Sequence, residues 1–223
     1  MIWRLEPLVV LLLLPMALLA LVLHEAAHAW AADRLGDSTA RLSGRLTLNP
    51  MAHLDPIGTL MILFTGFGWA RPVPVDTRQL RRPRRDLFWI ASAGPASNLI
   101  QALVLGTIMR LSGSRGLAPI QDFMYRGILP EGLSEAFFVM VALGVYVNII
   151  LAWFNLLPVP PLDGSRLVLR FLSPQTASAY LRYGHLGLLA LVVMFFAAPQ
   201  LLWMVMGPPV RLTSYLFTGI MFL

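Results

Sequence analysis

Between Pro7 and Trp30 the sequence is apolar except for His24, Glu25 and His28, and this run restricts the chain more than any other feature. A helix needs about 20 apolar residues, at about 1.5 Å each, to cross a bilayer core about 30 Å thick, and the run supplies them. Pro15 is tolerated as a kink, because neighbouring helices and water can satisfy the carbonyl it frees. Counted from Leu8, His24 lies about 24 Å along a straight helix, inside the apolar layer rather than at its surface. An ionisable cluster at that depth is costly unless it is paired, metal-bound or facing water, so a functional site is the expected reason for it. Arg4, the apolar run and the small residues after it also have features of a secretory signal; the run is long for one and others follow, so a retained span is expected.

Further apolar runs extend from Leu87 to Met109, from Ala136 to Leu157 and from Leu186 to Met206, the last with Pro199 inside it. A shorter one, Val210 to Leu223, is expected to return part-way or span at a tilt. With 57% hydrophobic and 13% charged residues, the chain lies far from ordinary soluble domains. The expected fold class is an all-α polytopic membrane protein with about four to six transmembrane helices. Residues 1–223 are read as a single integral-membrane domain. All 17 basic residues are arginines, and the net charge of +6 reads as membrane topology rather than as a nucleic-acid face. Cysteine is absent, which excludes disulfides, iron–sulfur clusters and thiolate zinc sites. A metal must therefore be held by His, Asp or Glu.

The segment Pro56 to Ala70, "PIGTLMILFTGFGWA", is short for a span. If it crossed, Arg34, Arg41 and Arg45 would face the opposite side from Arg71, Arg78, Arg81, Arg82, Arg84 and Arg85, against the positive-inside rule. A re-entrant or short β-containing excursion between the first and second spans is expected instead. With it, the arginine-rich loop, the "HEAAH" end of the first helix and "LPVPPLDG" after the third all fall on the cytoplasmic side.

His24-Glu25-Ala26-Ala27-His28 fits H-E-x-x-H. Residues four apart share one helix face, so both imidazoles can hold one zinc ion while Glu25 reaches a water on it. A catalytic zinc takes a third protein ligand, and Asp33, Asp37, Asp55 and Asp163 are the candidates weighed. Asp33 and Asp37 continue along the first helix and Asp55 sits in "HLDPIG". Asp163 is the strongest, because its prolines stiffen the turn and Gly164 permits a sharp one; Asp-Gly is also a common plain turn.

Together with "NPMAHLDPIG" (49–58), "GWARPVPV" (68–75), "AGPASN" (93–98) and "NLLPVPPLDG" (155–164), the H-E-x-x-H sequence resembles the site-2 protease family of intramembrane zinc metallopeptidases. The likeness covers residues 20–166 and is nearest the minimal subgroup lacking PDZ and CBS domains. It implies that His24, His28 and Asp163 bind Zn2+ and that Glu25 is the general base. It also implies that Asn155 lies beside the site, contacting substrate or the oxyanion, although a helix C-cap is an equal reading. His53 either lines the cavity or orders the re-entrant loop, and Asn98 serves helix packing and interhelical hydrogen bonding or a role near the site.

The expected function is therefore zinc-dependent hydrolysis of peptide bonds in or near transmembrane segments of other membrane proteins, as in regulated intramembrane proteolysis. The setting implied is a bacterial or archaeal cell membrane, with the active site toward the cytoplasm. The partners are transmembrane protein substrates and the lipid bilayer, with no nucleic acid; nothing in the sequence sets an oligomeric state. "ARLSGRLTLNP" and "GWARPVPV" are strand-like and suited to pairing with an unwound substrate. The rival from another class is a metal-binding transporter or scaffold, disfavoured because no internal repeat is visible.

Overall fold

The computed structural model describes residues 6–65 and 68–221; Arg4, residues 66–67 of the expected excursion and residues 222–223 of the last apolar run lie outside them. In chain order the helices are α1 (Pro7–Arg34), α2 (Thr39–Leu42), α3 (Pro50–His53), α4 (Pro56–Thr65), α5 (Pro83–Leu111), α6 (Gly113–Gln121), α7 (Leu133–Asn155), α8 (Asp163–Leu169), α9 (Pro174–Arg182), α10 (Gly184–Ala197) and α11 (Pro199–Thr218). Among the described residues there is no strand, and the chain is an all-α membrane protein.

Among the described residues, three helices, α1, α5 and α7, are long and apolar enough to cross a bilayer, and α9 with α10 forms a further candidate bent by 52°. Small residues are prominent among their buried positions and large apolar ones among their exposed positions. Ala20, Ala29, Ala91, Ala102, Ala142 and Ala152 are buried, while Leu11, Leu19, Ile100, Val104 and Phe137 are exposed. Small residues let the backbones approach and large apolar ones face outward, as expected where the surroundings are lipid. α1 and α5 run antiparallel, since His28 meets Ile90 while His24 and the Ala20 carbonyl meet Asn98. α5 and α7 are likewise antiparallel, with Asn98 bonded to Asn148 and Leu105 lying against Gly144.

α4 has ten residues, about 15 Å of helix, which is half a bilayer core. An isolated antiparallel bridge joins Leu54 to Ala70, and the Arg71 N–H donates to the His53 carbonyl at 2.8 Å. The excursion therefore leaves and returns at one point, as a re-entrant segment does. Among the described residues its β character is limited to that bridge. "ARLSGRLTLNP" is not a strand: it begins inside α2 and continues through turns, with its Arg45 N–H bonded back to the Ala40 carbonyl.

The expected span from Leu186 to Met206 is interrupted. α10 ends at Ala197 and α11 starts at Pro199, with Ala198 at φ −142° and ψ 55° between them. Proline offers no N–H to continue the ladder and pushes the preceding residue out of the helical region. α11 then absorbs the start of the last apolar run, carrying Pro208 and Pro209 within it.

Because the natural chain has no cysteine, single cysteines report sidedness directly. Leu48→Cys and Arg81→Cys, which flank the excursion, are expected to react with an impermeant maleimide from one membrane face, and Ser134→Cys, in the first turn of α7, from the other. Labelling of Leu48→Cys and Arg81→Cys from opposite faces would mean that the excursion spans.

Candidate metal centre

Two turns before its C-terminus, α1 places His24 and His28 on one face, where both are buried. The end of α7 leads through the turns of 156–162 into α8, whose first residue is Asp163. Gly164 makes that junction possible, since a Cβ there would come within 2.2 Å of the Leu156 carbonyl oxygen. The result is a three-way convergence: His24 Nε2 and His28 Nε2 are 3.1 Å apart, and Asp163 Oδ2 is 3.2 Å from the first and 3.0 Å from the second. α5 contributes the floor through Gly94, where a Cβ would stand 2.3 Å from His28 Nε2 and 2.6 Å from His24 Nε2.

The partners of the opposite ring nitrogens decide what these atoms can do. His24 Nδ1 lies 2.6 Å from Asn98 Oδ1, and His28 Nδ1 lies 2.7 Å from the Ile90 carbonyl. Both partners are acceptors only, so each Nδ1 donates and each Nε2 of a neutral ring presents its lone pair to the convergence. Three acceptor atoms within hydrogen-bond distance of one another in a buried site repel unless a cation lies among them. Their separations match the edge, about 3.3 Å, of a tetrahedron of ligands bonded to zinc at 2.0–2.1 Å. The donor set thus fits zinc. Asn98, fully buried, spends its amide on the Ala20 carbonyl at 3.1 Å and Asn148 Oδ1 at 2.8 Å, and Asn148 donates to the Gly144 carbonyl at 2.9 Å. This network joins α1, α5 and α7 and sets the tautomer of His24.

The cluster opens on a cavity of about 390 Å3 lined also by Glu25, Ile62, Phe154, Asn155, Arg166 and the segment 68–75, of which Trp69, Ala70, Pro72 and Val73 contribute. That segment is braced from behind. Arg45, buried, donates to the carbonyls of Arg71 and of Pro72, the latter at 3.1 Å. Asp37, fully buried, accepts from the Asp76 N–H at 2.7 Å and the Thr39 N–H at 3.0 Å. At the exposed end of the brace, the Arg78 side chain hydrogen-bonded to Asp76 holds that carboxyl down at about 2, so it stays ionised as the cap of the 77–79 turn.

Of the aspartates weighed from sequence, only Asp163 joins the histidines among the described residues. Asp33 pairs with Arg41 Nε at 3.2 Å, Asp37 braces the wall, and Asp55 accepts from the Gly58 N–H at 2.7 Å at the start of α4. Asn155 lines the cavity and donates one of its two amide hydrogens to the Leu151 carbonyl at 3.0 Å; it is the last residue of α7, and the C-cap position falls on Leu156. His53 is not part of the cavity lining. It is fully buried, and its Nε2 donates to the Thr47 carbonyl at 2.9 Å, because its place at the root of the excursion points it into the loop. Arg45 and Asn148 are absent from the sequence-derived set; Asn148 had a signal, an amide within an apolar run, whereas Arg45 looked like one more basic loop residue.

Residues 12–197 match the model for peptidase family M50, and the chain belongs to that family, the site-2 protease family. It is 39% identical over 178 residues to the Bacillus subtilis protein named "Putative zinc metalloprotease YwhC", covering 80% of this chain and 77% of that one. It is 32% identical over 186 residues to "Putative zinc metalloprotease Rip2" of Mycobacterium tuberculosis, covering 81% of this chain and 64% of that one. No solved structure matches the chain. Family and donor set agree on a zinc metalloprotease embedded in a membrane.

Asn98→Leu removes the acceptor that orients His24 without touching any of the three converging atoms. Zinc affinity, measured by competition with a chromogenic chelator, is expected to fall about 10–100-fold. An unchanged affinity would show that the His24 tautomer does not depend on Asn98.

Proposed function

We propose that this M50 member is a single-domain, zinc-dependent intramembrane endopeptidase that cuts peptide bonds in or near transmembrane segments of other membrane proteins. The observation that carries the proposal is one cavity shared by His24, His28, Asp163, Glu25 and an extended wall, 68–75, set among apolar helices. His28 lies about 9 Å, and His24 about 15 Å, along the helix from the Arg34 end of α1, deep enough to meet a bond within the bilayer and near enough to that end for water to enter. By the charge of the flanking loops, that end faces the cytoplasm of a bacterial or archaeal cell.

His24, His28 and Asp163 would hold the zinc, which supplies Lewis acidity to polarise a carbonyl and lower the pKa of water. Glu25, half-buried on the cavity, takes the proton of the attacking water and returns it to the leaving amine nitrogen. The remaining amide hydrogen of Asn155 is suited to the substrate backbone or to the developing oxyanion. A helical substrate hides its peptide bonds in its own hydrogen bonds and must unwind to be cut. The 68–75 wall offers an extended partner for the unwound chain, a role in keeping with its bracing by Arg45 and Asp37.

Two substitutions test this reading against a metal site without hydrolysis. Glu25→Gln is expected to keep its zinc and to lose cleavage of a reconstituted transmembrane substrate by about 10²–10⁴-fold, the usual contribution of a general acid–base group. Survival of cleavage would remove Glu25 from the chemistry. Asp163→Ala is expected to lower zinc content by elemental analysis, and full occupancy in that variant would move the third ligand elsewhere.

A further inference from the structure

Away from the metal centre, the first turn of α5 and the end of α8 face each other across a cleft of about 680 Å3 lined by Arg82, Pro83, Arg84, Arg85, Arg170 and Phe171. Arg84 Nη1 ties the two sides together by donating to the Leu172 carbonyl at 3.3 Å. Among the described residues, the carboxylate in contact with these arginines is Asp86, which is 1% exposed and accepts from Arg85 Nε at 3.1 Å and the Arg82 N–H at 2.8 Å. Four guanidiniums against one buried carboxylate leave the cleft at a net charge of +3.

An aromatic group adjoins the charge. Phe88 packs edge-on against both Phe171, at 6.2 Å between ring centroids, and Trp89, at 5.3 Å, and the Arg170 guanidinium stacks over Phe88 at 5.5 Å. Phe171 is 75% exposed and Trp89 56% exposed. Asp86 is followed directly by the apolar run that begins at Leu87, so the cleft sits where the α5 span meets the membrane surface. Exposed aromatic rings beside arginines at such a level are the usual makeup of a lipid headgroup contact.

We infer that this cleft binds the phosphate of an anionic phospholipid headgroup. Guanidinium forks match phosphate oxygens in pairs, and the surplus of positive charge selects a lipid with net negative charge over a zwitterionic one. The outward-facing Phe171 and Trp89 sit beside the acyl chains of the same lipid, a contact that inorganic phosphate cannot make. By holding the α5 start to the α8 end, the lipid steadies the helix that carries Asp163. The assignment does not rest on the metal centre.

The test uses the full-length protein in phosphatidylcholine vesicles containing a minor fraction of diazirine-bearing phosphatidylglycerol. Photocrosslinks in the wild-type chain are expected to concentrate in residues 82–89 and 170–172. The Arg84→Gln/Arg170→Gln double variant is expected to bind phosphatidylglycerol about thirtyfold more weakly, the effect of removing two arginine charges at a lipid surface, while Arg115→Gln, at the far end of the bundle, binds as wild type. Crosslinks scattered over the spans, equal labelling by a phosphatidylcholine probe, or loss of the lipid to millimolar inorganic phosphate would overturn the assignment. Should the double variant fail to fold, the wild-type crosslink map decides the question alone.

Discussion

Three acceptor atoms held about 3 Å apart inside an apolar bundle is the constraint from which the rest of this structure follows. Left to themselves they repel, and a buried site offers no bulk water to relieve them. The fold therefore invests in fixing them. Asn98 and the Ile90 carbonyl lock both ring tautomers, Gly94 removes the side chain that would occupy the site, and Gly164 lets α8 close onto α7 so that Asp163 arrives at the right depth. The small residues buried along α1, α5 and α7 are the same requirement at larger scale, because imidazole-to-amide bonds between helices need backbones that approach closely.

The second requirement is a rigid cavity wall beside the metal ligands. The 68–75 segment has two prolines and no sheet to hold it, so its position depends on residues behind it. Arg45, Asp37 and the His53 carbonyl supply that support from the stretch between α1 and α4. Buried ionised groups are seldom placed for stability alone. Here each satisfies the backbone of the wall, and the chain between α1 and α4 acts as a bracket connecting the helix of His24 and His28 to the surface they face.

The centre of the site was legible because its chemistry is local. H-E-x-x-H depends on helix periodicity, and the depth of His24 in an apolar run follows from counting residues. Asp163 was legible only in part, since it meets His28 across 135 residues of sequence. The arginines on either side of 56–70 point to a segment that returns to its own side, a whole-membrane effect recorded in composition, and the Leu54–Ala70 bridge is in keeping with it. Helix ends near prolines were less so: Pro15 and Pro95 stay within long helices while Pro199 starts a new one, and tertiary packing decides between these outcomes. Arg45 and His53 show the opposite limit, because a loop arginine and a loop histidine look alike whether they reach a cavity or support its wall.

The central claim is that His24, His28 and Asp163 hold one zinc ion within the membrane-spanning bundle. Zinc K-edge absorption spectroscopy of the purified chain addresses it most directly. The account predicts one zinc per chain with scattering from two imidazoles and additional oxygen in the first shell, falling to one imidazole in His28→Ala. A first shell without imidazole scattering, or one unchanged by that substitution, would contradict it.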